Sequence, residues 1–279
     1  MFCTCHPRGL GRRALLATAV AVLAVPARAQ TASVQTQSAQ TQSAGPADPK
    51  LLDDLVTANH ILFDQGVVDG FGHISARHDK DVGRFLLARS MAPALVGADD
   101  IMEFDLDGNA VDARGRQPYL ERFIHSEIYR ARPDVMAVVH SHSPAVIPFA
   151  DTGVALRPMN HLSGFLGGGA PVFEIRDSAG SATDMLIRNA TLGRALAVSL
   201  GTHDVALMRG HGSVAAGASV RKAVFRAVYT EVNARMEADA LRLGTPTFLS
   251  DEEAKAAAAT NEGLVDRPWE LWKRRAARG

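Results

Sequence analysis

The chain is 279 residues long and carries 30 basic and 30 acidic side chains, so its formal net charge is zero. That balance excludes the broad cationic field that nucleic-acid binding demands. No apolar run is long enough to cross a bilayer as a helix, so no membrane anchor is expected, and Cys3 and Cys5 are the only cysteines, which leaves the body of the chain without disulfides or thiolate ligands.

Residues 1–29 read as a cleavable export signal. Arg8, Arg12 and Arg13 precede an apolar run from Ala14 to Pro26, and Ala27-Arg28-Ala29 follows as a small-residue cleavage site. Arg12-Arg13 ahead of Ala14-Leu15-Leu16 resembles a twin-arginine signal, so a periplasmic destination by that or the general route is expected. Twin-arginine export carries a protein out already folded, so that any metal it needs can be acquired in the cytoplasm. Cleavage removes Arg8, Arg12, Arg13 and Arg28 and no acid, leaving the mature chain mildly acidic. Residues 30–47 repeat Gln-Thr-Gln-Ser-Ala and cannot bury a core, so they read as a disordered leader. Residues 48–279 then suit one domain with a substantial core.

Asp48-Pro49 predicts a helix start, and Leu51, Leu52, Leu55, Val56, Ile61 and Leu62 keep helical spacing up to Gly66. After the glycine turn Asp69-Gly70-Phe71-Gly72, His73–Arg77 reads as a strand, Arg84–Arg89 as a second and Ile101–Asp105 as a third, closed by Asp107-Gly108. Tyr119 to Arg132 is predicted helical and stops at Pro133. Asp134–His142 is the next strand, its apolar, β-branched first part fitting a strand buried on both faces. Pro158–Ala170 is loop-like, Val172–Ile175 a short strand, Ala190–Leu200 a helix ended by Gly201, and Val205–Met208 a strand. Ala218–Leu243 is the longest helix, and a helical tail carries Trp269 and Trp272. This alternation predicts an α/β sandwich with helices on both faces of the sheet.

The chemistry-bearing residues gather at two of these places. Along a strand, residues two apart point the same way, so His140 and His142 leave one face together. Neutral imidazole is the commonest metal ligand. His211, in the turn Arg209-Gly210-His211-Gly212, is a third candidate, and Glu121 on the preceding helix a fourth. An isolated His-x-His is weak by itself. Three imidazoles with a carboxylate, from a strand end and a glycine-flanked turn, suit a divalent cation with room left for substrate.

Gly72-His73-Ile74-Ser75, Glu121 with His125, Tyr129-Arg130-Ala131-Arg132-Pro133-Asp134, His140-Ser141-His142 and Arg209-Gly210-His211-Gly212, in this order, resemble the class II aldolase/adducin family over roughly residues 50–245. The resemblance implies a three-layer α/β/α sandwich around a mostly antiparallel sheet, and a homotetramer with active sites at subunit contacts. It also implies one divalent metal ion per subunit on His140, His142 and His211, with Glu121 as acid/base and at times a fourth ligand. Zinc or manganese fits such ligands, and so do cobalt or iron(II). The family's sugar-phosphate aldolases carry two small hydroxyl residues before the glutamate, Gly-Asn at the first glycine turn and a Thr-Gly-type loop. Here these places hold Tyr119-Leu120, Gly72-His73 and Ser90-Met91-Ala92-Pro93. Loss of those donors argues against a phosphorylated substrate. The pattern is similar instead to the branch that decarboxylates dihydroxyphthalate, hydroxy-carboxymuconic semialdehyde and hydroxy-methylpyridine-dicarboxylate.

The expected activity is therefore a metal-dependent carbon–carbon lyase that decarboxylates a hydroxylated aromatic or unsaturated dicarboxylic acid through a metal-stabilised enolate. The alternatives are a class II aldolase cleaving a small non-phosphorylated hydroxy-keto compound and a non-catalytic adducin-like interaction module. Several further residues have two readings each. His73, with Ser75 in the same turn, either binds a substrate carboxylate or ties the turn. Arg89 and Ser90 border the altered loop, where Arg89 either pairs with a second carboxylate or lies on the surface. His161 is a mobile pocket residue or a loop histidine without a role, Tyr229 a proton donor reaching a neighbouring subunit or a packing residue, and His125 a structural partner of Glu121.

Overall fold

A computed structural model of the protein describes residues 42–111 and 113–278. The export signal expected over 1–29 lies outside the described residues, as does the leader before residue 42. From Gln42 on, the end of that leader lies against the sheet. Ala44 N–H donates to Glu103 Oε1 at 2.8 Å, Arg84 Nη2 donates to the Gln42 carbonyl at 3.0 Å, and His78 Nε2 meets the Gly45 carbonyl at 3.1 Å. Side chains at the sheet edge thus satisfy the backbone of a segment too polar to bury a core of its own.

Asp48 opens the first helix, α1 (Pro49–Asp64), its carboxylate accepting from Lys50 N–H at 2.9 Å, and Gly66 at φ +68 follows its end. The strands are β1 (His73–Arg77), β2 (Arg84–Ala88) and β3 (Ile101–Asp105). After α2 (Arg122–Ala131) come β4 (Ala137–Ser141), the short α3 (Ile147–Thr152), β5 (Val172–Phe173) and the one-turn α4 (Arg176–Ala179). The chain continues through α5 (Ala190–Leu200), β6 (Val205–Met208), β7 (Gly212–Gly217) and α6 (Val220–Leu243). Two helices, α7 (Asp251–Asn261) and α8 (Asp266–Ala276), form the tail.

These strands make one sheet in the order β3-β2-β1-β4-β7-β6-β5, antiparallel at every pairing except β5 with β6. Side-chain alternation splits the core in two. Phe85, Leu87, Val138, Ala206, Val214 and Ala216 join Ile124, Ile128 and Leu196 on the face covered by α2 and α5. Leu86, Ala88, Ile74, Ala137, Val139 and Ala215 join Leu55, Ile61, Val224 and Trp269 on the face covered by α1, α6 and α8. The result is the expected α/β/α sandwich with a mostly antiparallel sheet.

Three local expectations change. The helix expected from Tyr119 begins at Arg122, because residues 117–119 are held extended by Pro118: Ser90 N–H donates to the Gln117 carbonyl at 2.7 Å, and Arg89 bridges Pro118. Glu121 is thus the residue before the helix, with φ −90 and ψ 19, rather than inside it. The loop-like stretch after Pro158 contains a 3₁₀ segment, His161–Leu166. Most consequential is β7, whose sequence Gly-Ser-Val-Ala-Ala-Gly has little strand character, yet it lies in the middle of the sheet between β4 and β6. Small residues are required there: a Cβ on Gly217 would lie 2.5 Å from Ala223 N and one on Gly212 would lie 1.9 Å from the Ser141 carbonyl oxygen.

Candidate metal centre

One end of the sheet collects the titratable side chains. β4 carries His140 as its penultimate residue, and His142 follows its last residue. β7 lies beside β4 with Ser213 opposite Ser141, so the tight turn from β6 into β7 brings His211 to the same end. Gly210 makes that turn at φ +62, and Gly212 allows β7 to press against β4. Glu121 reaches in from the start of α2, fixed by Ile187 N–H, which donates to Oε1 at 2.9 Å. That bond leaves Oε2 to face the histidines.

The four groups converge. His142 Nε2 lies 3.1 Å from His140 Nε2 and 3.0 Å from His211 Nε2. Glu121 Oε2 lies 3.6 Å from His140 Nε2 and 3.5 Å from His211 Nε2. All four candidate ligand atoms fall within 4.8 Å of one another. Ligands about 2.0–2.2 Å from a tetrahedral ion stand about 3.3–3.6 Å apart, and neighbouring ligands of a six-coordinate ion somewhat closer. Three imidazole nitrogens and one carboxylate oxygen at these separations fit a single divalent cation. His140 Nδ1 donates to the Ser213 carbonyl at 3.1 Å. The carbonyl can only accept, so the ring proton sits on Nδ1 and Nε2 keeps its lone pair for a metal. His211 Nδ1, by contrast, is buried with no hydrogen-bond partner among the described residues.

Charge states at neutral pH also suit a ligand set. Burial, with His140 and His211 beside it, lowers His142 to about 4, so its imidazole is neutral. Burial works to raise the Glu121 carboxyl, but the His140 and His211 rings outweigh it and hold the group well below the ordinary carboxylate range. Glu121 is therefore an anion in the free site.

Above the four ligands lies a cleft of about 280 Å³ whose lining includes His73, Ser90, Glu121 and His142, with Phe71, Met91, Tyr119, Leu120 and Leu186 as its apolar walls. No lysine or arginine lines it among the described residues. Tyr119 donates its hydroxyl to the Met91 carbonyl, which holds the 90–93 loop over the cleft. A larger groove of about 610 Å³, lined by Lys50, Asp54, Arg77 and Arg221, carries none of the four ligands.

The other residues singled out from the sequence fall in different places. His73 and Ser90 line the cleft. Ser75 does not: it is fully buried, with its hydroxyl between His125 Nδ1 at 2.6 Å and the Tyr129 hydroxyl at 2.7 Å. Arg89 does not line the cleft either, because Asp100 Oδ1 accepts from its Nε at 2.6 Å. His161 lies against α7, where Asn261 donates to its carbonyl at 3.0 Å, and does not line the cleft. The Tyr229 ring packs between Phe225 and Trp272, with centroids at 4.6 and 6.0 Å, and does not enter this chain's cleft. His125 lies behind the site, fully buried, and is not one of the four ligands. Residues that sequence reading missed include Ser213 and Ile187, which act through backbone atoms and leave no mark in side-chain pattern. Phe71, exposed beside His142 with ring centroids 6.2 Å apart, stood inside a glycine turn where an aromatic was the only cue.

Residues 53–238 match the family model described as Class II Aldolase and Adducin N-terminal domain. Among curated proteins, the chain is 36% identical over 247 residues to Decarboxylase tropJ of Talaromyces stipitatus, covering 80% of this chain and 93% of that protein. It is 34% identical over 189 residues to the 3,4-dihydroxyphthalate decarboxylase of Arthrobacter keyseri, covering 62% of this chain and 72% of that one. Among solved structures, L-fuculose 1-phosphate aldolase from Glaciozyma antarctica superposes with a TM-score of 0.68 at 20% identity, covering 84% of this chain and 95% of that one. That last likeness is one of fold.

Proposed function

Because the chain belongs to the class II aldolase and adducin family, we propose that it is a divalent-metal-dependent carbon–carbon lyase that decarboxylates a hydroxylated aromatic or unsaturated carboxylic acid. The observation that carries this reading is the convergence of His140, His142, His211 and Glu121 beneath an apolar cleft lined, among the described residues, by no cationic side chain. A phosphorylated substrate would meet no lysine or arginine there, whereas a planar acid would find the walls of Phe71, Tyr119 and Leu186. Relatives named as decarboxylases at 36% and 34% identity support the same choice.

One zinc or manganese ion per chain (cobalt or iron(II) being alternatives), held by the three histidines, with Glu121 as a fourth ligand only until substrate is bound, would supply a Lewis acid that draws electron density from the breaking bond. The protein's own part is positioning and proton transfer. The apolar walls exclude water and strengthen each electrostatic contact in the cleft. Glu121 Oε2, the carboxylate oxygen not tied to Ile187, takes the proton of the substrate hydroxyl and returns it to the carbon that loses carbon dioxide. The product oxygen then recovers a proton from water, so the cycle consumes one proton for each carbon dioxide released.

The test is product analysis with zinc- or manganese-loaded protein offered 3,4-dihydroxyphthalate and 2,3-dihydroxybenzoate, and separately L-fuculose 1-phosphate and a non-phosphorylated hydroxy-keto acid. The proposal expects carbon dioxide from an aromatic acid. An aldehyde from one of the other compounds, with no carbon dioxide, would replace it by aldol cleavage. A protein that neither binds metal nor turns over any of them would be an adducin-like module.

A homotetramer with sites at subunit contacts, and export to the periplasm, belong to the same proposal on the strength of the resemblance and of residues 1–29. Amino-terminal sequencing of protein recovered from the periplasm is expected to begin at Gln30, and an intact Met1 in a cytoplasmic fraction contradicts export.

A further inference from the structure

Behind the metal centre runs a closed chain of hydrogen bonds that the reaction as derived does not use. His73 Nδ1 lies 2.7 Å from His125 Nε2, His125 Nδ1 lies 2.6 Å from Ser75 Oγ, and Ser75 Oγ lies 2.7 Å from the Tyr129 hydroxyl. All four side chains are 4% exposed or less. The elements explain the alignment. His73 and Ser75 alternate onto the α2 side of β1, and His125 and Tyr129 are one turn apart on the face of α2 that covers it.

The direction of this chain follows from its deep end. A buried phenol must donate its proton; the Val138 backbone N–H can only donate to the Tyr129 hydroxyl, which leaves Ser75 Oγ as the acceptor. Burial also raises the phenol's pKa, so Tyr129 keeps that proton. Ser75, accepting on one side, has its own proton for His125 Nδ1. His125, lowered to about 3 by burial and the neighbouring His140, is neutral and carries its single proton on Nε2. It donates that proton to His73 Nδ1. His73 is left with its own proton on Nε2, which makes no hydrogen bond among the described residues, is not sealed from solvent and belongs to a ring that lines the cleft.

We infer that His73 is a fixed hydrogen-bond donor to an oxygen of the bound acid, and not a base, held in that tautomer by Tyr129 through Ser75 and His125. The inference rests on the reading that the cleft takes an oxygen-rich acid, and it deepens that reading. In a cleft lined by no lysine or arginine, a neutral donor of set direction can orient a carboxylate or hydroxyl oxygen without competing with the metal for charge. An acceptor nitrogen at the same place would repel that oxygen. His125, Ser75 and Tyr129 are positioning residues, since none of them lines the cleft.

The test is nitrogen-15 NMR of the histidine rings in the zinc-loaded protein, with the His73 signals assigned by their loss in His73→Gln. The expected result is a proton on Nε2 and a bare Nδ1 at both His73 and His125, unchanged between pH 6 and 8. A proton on His73 Nδ1 overturns the proposal whether or not the protein decarboxylates anything, so this failure is distinct from failure of the lyase reading. With 3,4-dihydroxyphthalate or 2,3-dihydroxybenzoate as substrate, His73→Leu is expected to raise KM by roughly 10- to 100-fold, the span of a hydrogen bond to a charged oxygen, and to change kcat less. His73→Gln, whose amide places an N–H near the same point, is expected to recover most of that loss. A collapse of kcat in both variants would make His73 a base and sink the proposal. His125→Phe is expected to raise KM and broaden the His73 Nε2–H signal by tautomer exchange, and a sharp, unshifted signal there would remove His125 from the relay.

Discussion

Replacing His211 with alanine is expected to strip the protein of its bound cation and to lower activity by more than about 100-fold, beyond what loss of a ligand's outer partner costs. The reason is geometric. His140 and His142 come from adjoining positions at one strand end, and their Nε2 atoms are 3.1 Å apart; His211 closes the set from the other side, 3.0 Å from His142 and 3.5 Å from Glu121 Oε2. Without it only two imidazoles remain beside Glu121. The variant should still fold, since the turn is made by Gly210 and Gly212 rather than by the imidazole, and His211 Nδ1 has no hydrogen-bond partner among the described residues. Metal content by plasma emission spectroscopy reads the first claim. Thermal unfolding with and without a chelator reads the second: the parent loses stability when chelated, because an ion that binds only the folded state stabilises it, and the variant does not respond. Stoichiometric metal in His211→Ala would show that the turn histidine is not a ligand.

Glu121→Gln is the second large effect, with kcat falling by about 10²–10⁴. Glutamine keeps an oxygen to accept from Ile187 N–H, so the side chain stays in place. What is lost is the negative charge facing His140 and His211 and the capacity to take a proton at neutral pH. Three imidazoles remain, so metal should still bind, though less tightly. The expected signature is a low kcat in a protein that still carries its ion, measured at saturating metal. A variant as active as the parent would mean that the proton comes from elsewhere and that Glu121 serves only as structure. The depressed pKa keeps this carboxyl ionised but makes it a weak base in the free site, so taking the substrate's proton requires that substrate first loosen its contact with the two rings.

The site was legible where chemistry and local periodicity coincide. The apolar run into His140-Ser141-His142 reads as a buried strand end because β-branched residues fill both faces, and Gly210-His211-Gly212 reads as a turn because only glycine takes its backbone. What joins these two was not legible. β7 is made of glycine, serine, alanine and a single valine, with no hydrophobic alternation, and its place beside β4 is set by how closely Gly212 approaches Ser141 and Gly217 approaches α6. Strand formation there is imposed by packing on both sides, which a propensity cannot express. Ser75 looked like a cleft residue because it sits two positions after His73 on the same strand face, yet α2 covers that face and turns its hydroxyl toward His125 and Tyr129. Arg89 and Tyr229 carry suitable functional groups, but their partners, Asp100 and the Phe225–Trp272 pair, are distant in sequence. Side-chain chemistry names candidates, and only the neighbours across the fold decide which of them face the cleft.

The central claim is that a single cation, gathered by His140, His142, His211 and Glu121, is what makes this cleft a lyase. Titrating metal-free protein with zinc or manganese while following carbon dioxide release from a hydroxylated aromatic acid tests it most directly. The account predicts no release without metal and a linear rise to a plateau at one ion per chain. Release that is full before any metal is added, or that ignores the ion throughout, would contradict it.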